Sequence, residues 1–295
     1  MSSRTLLNLG LFCLAGLLAL IVVYRPGIEP EPAPQTLTAV SADGISRIQV
    51  TRAEREPLLF TRQAGDWILA GSSDLPASSI QIHALLALLQ AQAARSYPAD
   101  SLDLEALGLN PPQATLLLDD ISFNIGITDA VDKLRYVQTG NTVFLVTDRY
   151  QHLINADWSS FVERRLLSAS ASLTRLQLPE FTLSLAADRQ WQQFPADPAI
   201  STGALQSLVS SWEQATAYYV RRYQGNADTG TITLEFSEHE KPVTLHIIAQ
   251  SPELILARPE LGIQYHLQAD MAQTLLALPV DKQETDTLSV TPLSQ

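Results

Sequence analysis

Cysteine is all but missing from this 295-residue chain: the single one, Cys13, falls inside an apolar run near the start. The chain beyond that run can form no disulfide and offers neither a thiol nucleophile nor a cysteine metal ligand. It must hold its fold by burial alone, and it is long enough to do so. Bases are scarce too, 19 Lys and Arg against 31 Asp and Glu, for a net charge of −12. With Arg4 and Arg25 set aside as flanks of the run, the rest carries 17 bases against 31 acids, a net of −14. Such a surface repels polyanions, which argues against nucleic acid and anionic lipid headgroups as partners.

The usual signatures of chemistry are missing as well. Neither G-x-x-x-x-G-K nor G-x-G-x-x-G occurs, so no phosphate loop is present. No G-x-S-x-G elbow occurs, and Ser72 and Ser73 sit in an ordinary loop. His83, His152, His239, His246 and His266 are scattered, with no HExxH-like spacing that would put two ligands on one face. The acid pairs Asp119 with Asp120 and Asp129 with Asp132 suit turns better than an acid–base couple. These absences predict no enzyme activity, no cofactor and no metal.

Residues 6–24 are what the chain does have: one uncharged apolar run, long enough to cross a bilayer core of about 30 Å as a helix. Ile21, Val22, Val23 and Tyr24 close it where a cleaved signal peptide would need small residues, so the run reads as a retained anchor. An N-terminal signal-anchor leaves its amino terminus in the cytoplasm and exports the body on its C-terminal side. A cysteine-free exported body suits a bacterial periplasm. Pro26, Pro30, Pro32 and Pro34 then make a stiff tether. At polyproline spacing, residues 26–42 reach up to about 50 Å.

Beyond the tether the pattern is α+β. Residues 45–50 alternate apolar and polar as a half-buried strand does. Residues 58–61 and 67–69 flank Ala64, Gly65 and Asp66, a hairpin signature. Asp74 and Pro76 have the form of a helix start, and Ile82, Leu85, Leu86 and Leu89 fall on one helical stripe. Asn110, Pro111 and Pro112 end any helical run. Strands are predicted over 114–118, 123–127, 134–138 and 142–147, the last two joined at Gly140 and Asn141, with Asp148 capping a short helix.

The same order then recurs. Residues 173–178 echo 45–50, with Arg175 against Arg47 and Gln177 against Gln49. Residues 181–185 and 191–194 bracket a turn at 187–189, and Trp191 stands where Trp67 stood. Asp197 and Pro198 repeat the helix start, and Leu205, Leu208, Val209 and Trp212 repeat the stripe, with Tyr219 two turns on. Strands come next over 231–236, 243–248, 254–257 and 264–267, then a short helix from Asp270 to Leu276. A duplicated unit is expected: antiparallel strands with one long and one short helix each. The expected divisions are stub and anchor 1–25, linker 26–42, first unit 43–168, second unit 169–279 and a disordered tail 280–295.

Two basic doublets interrupt the acidic body. Arg164 and Arg165 follow Trp158 and Phe161; Arg221 and Arg222 sit among Tyr218, Tyr219 and Tyr223. Arginine with aromatics is the composition of interface hot spots, so these seven Arg and Tyr residues are the candidate partner contacts. The plainer alternative is that they cap carbonyls or pair with local acids at element ends.

Several stretches resemble the DUF4340 family: LGLNP at 107–111, Ile125 with Gly126, Arg135 to Val137, Val143 to Val146, and Phe161 with Arg164 to Leu167. The similarity is strongest over 45–167 and fainter beyond. It implies an envelope domain found beside ABC transporters of the gliding-motility type, and it carries over no catalytic residue. The expected role is a non-enzymatic, single-pass accessory or scaffold subunit in contact with an inner-membrane complex. The alternative is a periplasmic module holding a small molecule or cell-wall glycan in a cleft between the two units.

Overall fold

The computed structural model describes residues 10–12, 14–19, 35–168, 171–226, 228–237 and 241–278. Residues 10–12 and 14–19 are helical (α1), while the rest of the expected span 6–24, the prolines at 26–34 and the tail 280–295 lie outside the described residues. No helix among the described residues is long and apolar enough to cross a membrane.

Period-two alternation builds the first sheet. Its strands are β1 (Gln35–Thr36), β2 (Arg47–Arg52), β3 (Arg55–Gln63), β4 (Asp66–Ala70), β5 (Leu75–Pro76), β6 (Gln92–Pro98), β7 (Ala114–Leu118), β8 (Ile121–Thr128), β9 (Leu134–Thr139) and β10 (Thr142–Thr147). They lie in the order β1-β6-β10-β9-β8-β7-β2-β3-β4-β5, every pair antiparallel. Ile48 and Val50 on β2 and Ala114, Leu116 and Leu118 on β7 point into the core, as their spacing predicts. Helix α2 (Ser79–Leu86) buries Ile82, Leu85 and Leu86 and tightens into a 3-10 turn over Ala87–Gln90 that buries Leu88 and Leu89. The short α3 (Gln151–Asn155) follows β10.

The second sheet has eight strands: β11 (Leu173–Gln177), β12 (Thr182–Leu185), β13 (Trp191–Phe194), β14 (Tyr219–Arg222), β15 (Gly230–Phe236), β16 (Val243–Ala249), β17 (Leu254–Arg258) and β18 (Ile263–Leu267). Their order is β13-β12-β11-β15-β16-β17-β18-β14, again antiparallel throughout. Helix α4 (Thr202–Gln214) packs Leu205, Leu208, Val209 and Trp212 inward, and α5 (Met271–Leu276) closes the described chain. One connected hydrophobic core runs through both sheets and all of α2 to α5.

Several local expectations are corrected. Asp74 and Pro76 do not start a helix: Leu75 and Pro76 pair with Leu69 and Ile68, Leu75 is buried, and α2 begins at Ser79 after Ser78. A proline is tolerated there because β5 is a sheet edge. Asp197 and Pro198 are likewise a turn, with Asp197 accepting from the Ala199 amide, and Ser201 is the residue that caps α4. Asp148 is not the cap of α3, a position held by Tyr150; its carboxylate is drawn to Arg135. Strand β6 lies over residues to which the sequence pattern assigns no element, and Tyr219 is not on α4 but on β14, opposite His266. Both strands have their register set by distant partners, which local periodicity does not report.

A second, smaller cluster lies on the outer face of the first sheet, where Leu109 meets Ala99 and Val143. The LGLNP loop folds back onto β8 there, and the Leu107 carbonyl accepts from the Ile127 amide. A Cβ on Gly126 would stand 2.3 Å from that carbonyl oxygen, so only glycine lets the loop settle.

Candidate functional site

The stretch 161–167 is the hinge of the molecule in the literal sense that both sheets hang from it. On one side the Ser78 amide donates to Phe161 O and the Glu163 amide to Pro76 O, with Ala77 and Val162 bridged antiparallel. On the other side the Leu166 amide donates to Ala215 O, and the Ala217 amide to Arg164 O. A single extended segment is thus hydrogen-bonded to both halves, while its apolar residues Phe161, Val162, Leu166 and Leu167 are buried. This seam is rigid by construction, since opening it would break ladder bonds and expose those four side chains.

The seam explains where the candidate contact residues fall. Arg164 donates to Tyr218 O at 3.1 Å and Arg165 to Glu213 O at 3.1 Å, so each reaches across the seam to cap a carbonyl. Arg222 lies over the Trp158 ring at 4.3 Å, which joins the second doublet to the first sheet's aromatic. Arg221 lies over Tyr219 at 4.9 Å. The Tyr223 hydroxyl donates to Asn226 O. Contacts thus join Arg164 to Tyr218, Tyr218 to Tyr219 and Tyr219 to Arg221, while Arg165, Arg222 and Tyr223 reach residues outside the set. Six of the seven side chains make contacts within the fold, and Tyr218, 70% exposed, lies edge-on to Tyr219 with most of its ring open.

One polar constellation was not foreseen. Tyr219 stacks on His266 with ring centroids 4.4 Å apart. Its hydroxyl donates to Glu253 Oε2 at 2.9 Å, and His266 Nδ1 lies 2.9 Å from the same oxygen. The Gln264 side-chain nitrogen lies 2.8 Å from His266 Nε2. The ring thus bridges Gln264 on its Nε2 side and Glu253 on its Nδ1 side. Gln264 and His266 share a face of β18 by simple alternation, and that much is legible in the sequence. Glu253 arrives from the turn before β17, and no sequence signal announces it.

Hydrogen bonds from His266 and then Tyr219 hold the Glu253 carboxyl below its ordinary value, against a smaller opposing effect of burial. A depressed carboxylate pKa gives stability that is present above the ordinary carboxylate pKa and lost as pH falls through the folded one. Glu253→Gln is accordingly expected to be less stable than the parent at neutral pH. The gap should close in urea titrations as pH drops through and below the usual carboxylate range. A gap of constant size across that range would refute the coupling.

The two sheets also enclose cavities beside the seam. One, about 780 Å³, is lined from the first sheet by Arg62 and Trp67, from α2 by His83, from the seam by Glu163 and Arg165, and from the second sheet by Phe236, Arg258 and Tyr265. Burial pushes the Tyr265 phenol up, while nearby Arg258 draws it down. A second cavity of about 550 Å³ lies by Trp158 and Arg222. A third, about 420 Å³, opens on the outer face of the first sheet, between Tyr97 and Tyr136 and beside the Arg95–Asp132 ion pair. His246 pairs with Asp228 at the surface. Among the described residues, no group of three or more His, Cys, Asp or Glu is placed to hold a metal ion.

With the geometry in place, the comparisons bear on its parts. A family model, the domain of unknown function DUF4340, matches residues 67–235. That stretch begins at β4, takes in the LGLNP loop, Gly126, Arg135 and the whole seam, and ends in β15. It runs well past residue 167, where the resemblance in the sequence was expected to fade. Neither curated proteins nor solved structures give a match.

Proposed function

The chain belongs to the DUF4340 family, and from that premise we propose that it is a non-enzymatic accessory subunit of the bacterial inner membrane. Its N-terminal helix anchors it, its body stands in the periplasm, and it contacts a membrane complex of the gliding-motility ABC-transporter type. The observation that carries the anchoring is the state of α1. Leu11, Phe12, Leu14, Leu17 and Leu18 are between 54% and 81% exposed, whereas the other large apolar side chains among the described residues are mostly buried. Five exposed apolar side chains on consecutive turns would be costly in water and are at home in lipid.

The body is a duplicated unit on this reading. Eight strands of the first sheet, in the order β4-β3-β2-β7-β8-β9-β10-β6, correspond one for one to β13-β12-β11-β15-β16-β17-β18-β14. In each half the long helix precedes the last-named strand in sequence, and the short helix follows the strand paired to it. The seam fixes one half against the other, which suits a scaffold that presents a constant surface. Tyr218, exposed and edge-on to Tyr219, whose ring carries Arg221, is where a protein partner would find an open aromatic at the start of β14.

Purification of the full-length chain at native levels in mild detergent tests this. It should fractionate with membranes and bring integral membrane proteins with it, and loss of residues 1–25 should release the body to the soluble periplasmic fraction. Recovery of the intact chain alone and soluble would refute both parts. A second reading, a binding module for a small molecule or cell-wall glycan, is favoured by the 780 Å³ cleft, whose volume is of the order of known ligand sites.

A further inference from the structure

We propose that the cleft between the two sheets binds an acidic saccharide: a ring with a flat apolar face, free hydroxyls and at least one carboxylate. The proposal rests on the second reading above and gives that cleft its ligand class.

Charge is the first argument. The lining holds Arg62, Arg165, Lys241 and Arg258 against Asp66 and Glu163, and with Glu260 paired to Arg258 the balance is four cations to three anions, in a chain whose net charge is −12. An electropositive recess on an acidic body concentrates anionic ligands within it and leaves the rest of the surface repellent. The arginines are also held in place. Arg62 donates to Asp43 O at 3.0 Å and Gly65 O at 3.4 Å, Arg165 to Glu213 O, and Arg258 to Glu260 Oε1 at 2.9 Å. Each guanidinium has five N–H donors, so every one keeps donors beyond those anchors, on a side chain whose rotamer is already set. Binding a carboxylate there costs little ordering entropy.

The apolar part of the lining is the second argument. Trp67 and Phe236 are half-buried and sit against the core with part of each ring left open. Tyr265, almost wholly buried, lies behind them. The lining also holds Ser79, His83 and Asp66, polar groups suited to hydroxyls. A purely aromatic acid would cover those groups without pairing them, which is unfavourable. A sugar acid pairs them while stacking its apolar face on Trp67. The rigid seam beneath means that the cleft is formed before the ligand arrives.

The test uses the full-length chain in detergent, with N-acetylmuramyl dipeptide and trigalacturonate as acidic probes and neutral chitobiose as the comparison. Tryptophan fluorescence and calorimetry report binding. Trp67 is the cleft's own reporter, since Trp191 and Trp212 are buried and Trp158 lines a different cavity. At least one acidic probe is expected to bind more tightly than chitobiose, with an affinity that falls as salt rises. Arg62→Gln with Arg258→Gln should weaken it by about a hundredfold, roughly tenfold for each charge-assisted contact. Lys241→Gln, at an exposed position, should weaken it several-fold without touching the fold. Arg95→Gln, in the separate outer cavity, should change nothing, and Trp67→Phe should remove most of the fluorescence change. Chitobiose binding as well as the acids, with the arginine variants indifferent, would overturn the acidic class and leave a cleft that takes glycans. No binding of any probe would overturn the class and the binding-module reading together.

Discussion

Arg135→Met is expected to lower the stability of the chain by about 3 kcal/mol, the scale for removing one partner of a buried ion pair. The side chain is 2% exposed and entirely engaged. Its Nε and Nη2 grip the two oxygens of Asp148 at 2.8 and 2.9 Å, Nη2 also donates to Thr128 Oγ1 at 2.8 Å, and Nη1 donates to Gly126 O at 2.6 Å. The Thr128 hydroxyl donates in turn to Asp148 Oδ2 at 2.7 Å. This fork ties β8, β9 and the end of β10 at the point where Gly126 admits the LGLNP loop. A methionine would fill the volume, but it would take the guanidinium away from Asp148 and leave the Gly126 carbonyl without its donor.

Two further variants separate charge from geometry. Arg135→Lys keeps the cation and loses the fork, so about half the loss is expected. Arg135→Met combined with Asp148→Leu removes both charges, and a good part of the stability should return, because apolar replacements of a buried pair are often close to neutral. Urea midpoints of the purified chain measure all three. A single variant within about 0.5 kcal/mol of the parent would show that the network is dispensable, since surface changes away from such features have effects of that size.

The same residues show what the sequence could and could not disclose. Alternation in residues 45–50 and 114–118, and the stripe through Leu205, Leu208, Val209 and Trp212, are signals carried by neighbouring residues, and the elements stand where those signals put them. The resemblance through LGLNP, Gly126, Arg135 and 161–167 picked out positions that turn out to be structural joints: a loop on a strand, a buried fork and the seam. β6 and β14 were missed because each gets its hydrogen bonds from a strand far along the chain, Thr142–Thr147 for one and Ile263–Leu267 for the other. The Asp-Pro pairs misled for a related reason. Such a pair favours a turn as much as a helix start, and which one wins depends on whether an edge strand such as β4 waits nearby. The doublets at 164–165 and 221–222 were legible as a cluster in composition. That their guanidinium groups serve the carbonyls and aromatics of the opposite half is a fact of assembly, and so is the cleft beside them.

Trp212→Ala is expected to cost about 4 kcal/mol, at the level found for fully buried aromatic-to-alanine changes. Trp212 is wholly buried on α4, the largest such side chain among the described residues. It does two things at once. Its ring fills the space between α4 and the second sheet, and its Nε1 donates to Leu275 O at 2.9 Å, fastening α5 to the body near the carboxyl end of that helix. Loss of the ring leaves a cavity that a close-packed core closes only in part. Loss of the donor leaves a helix-terminal carbonyl without its partner. Trp212→Phe divides these effects: most of the packing stays, the donor goes, and a loss of about 1–2 kcal/mol is expected. Amide exchange over Met271–Leu276 is the sharper readout, because the indole N–H bonds that short helix directly, beside the burial of Leu275. In Trp212→Phe those amides should exchange faster while the strands of the first sheet keep their protection. Equal acceleration everywhere would mean that Trp212 acts through bulk alone, and that α5 is held by the burial of Leu275 and not by the indole.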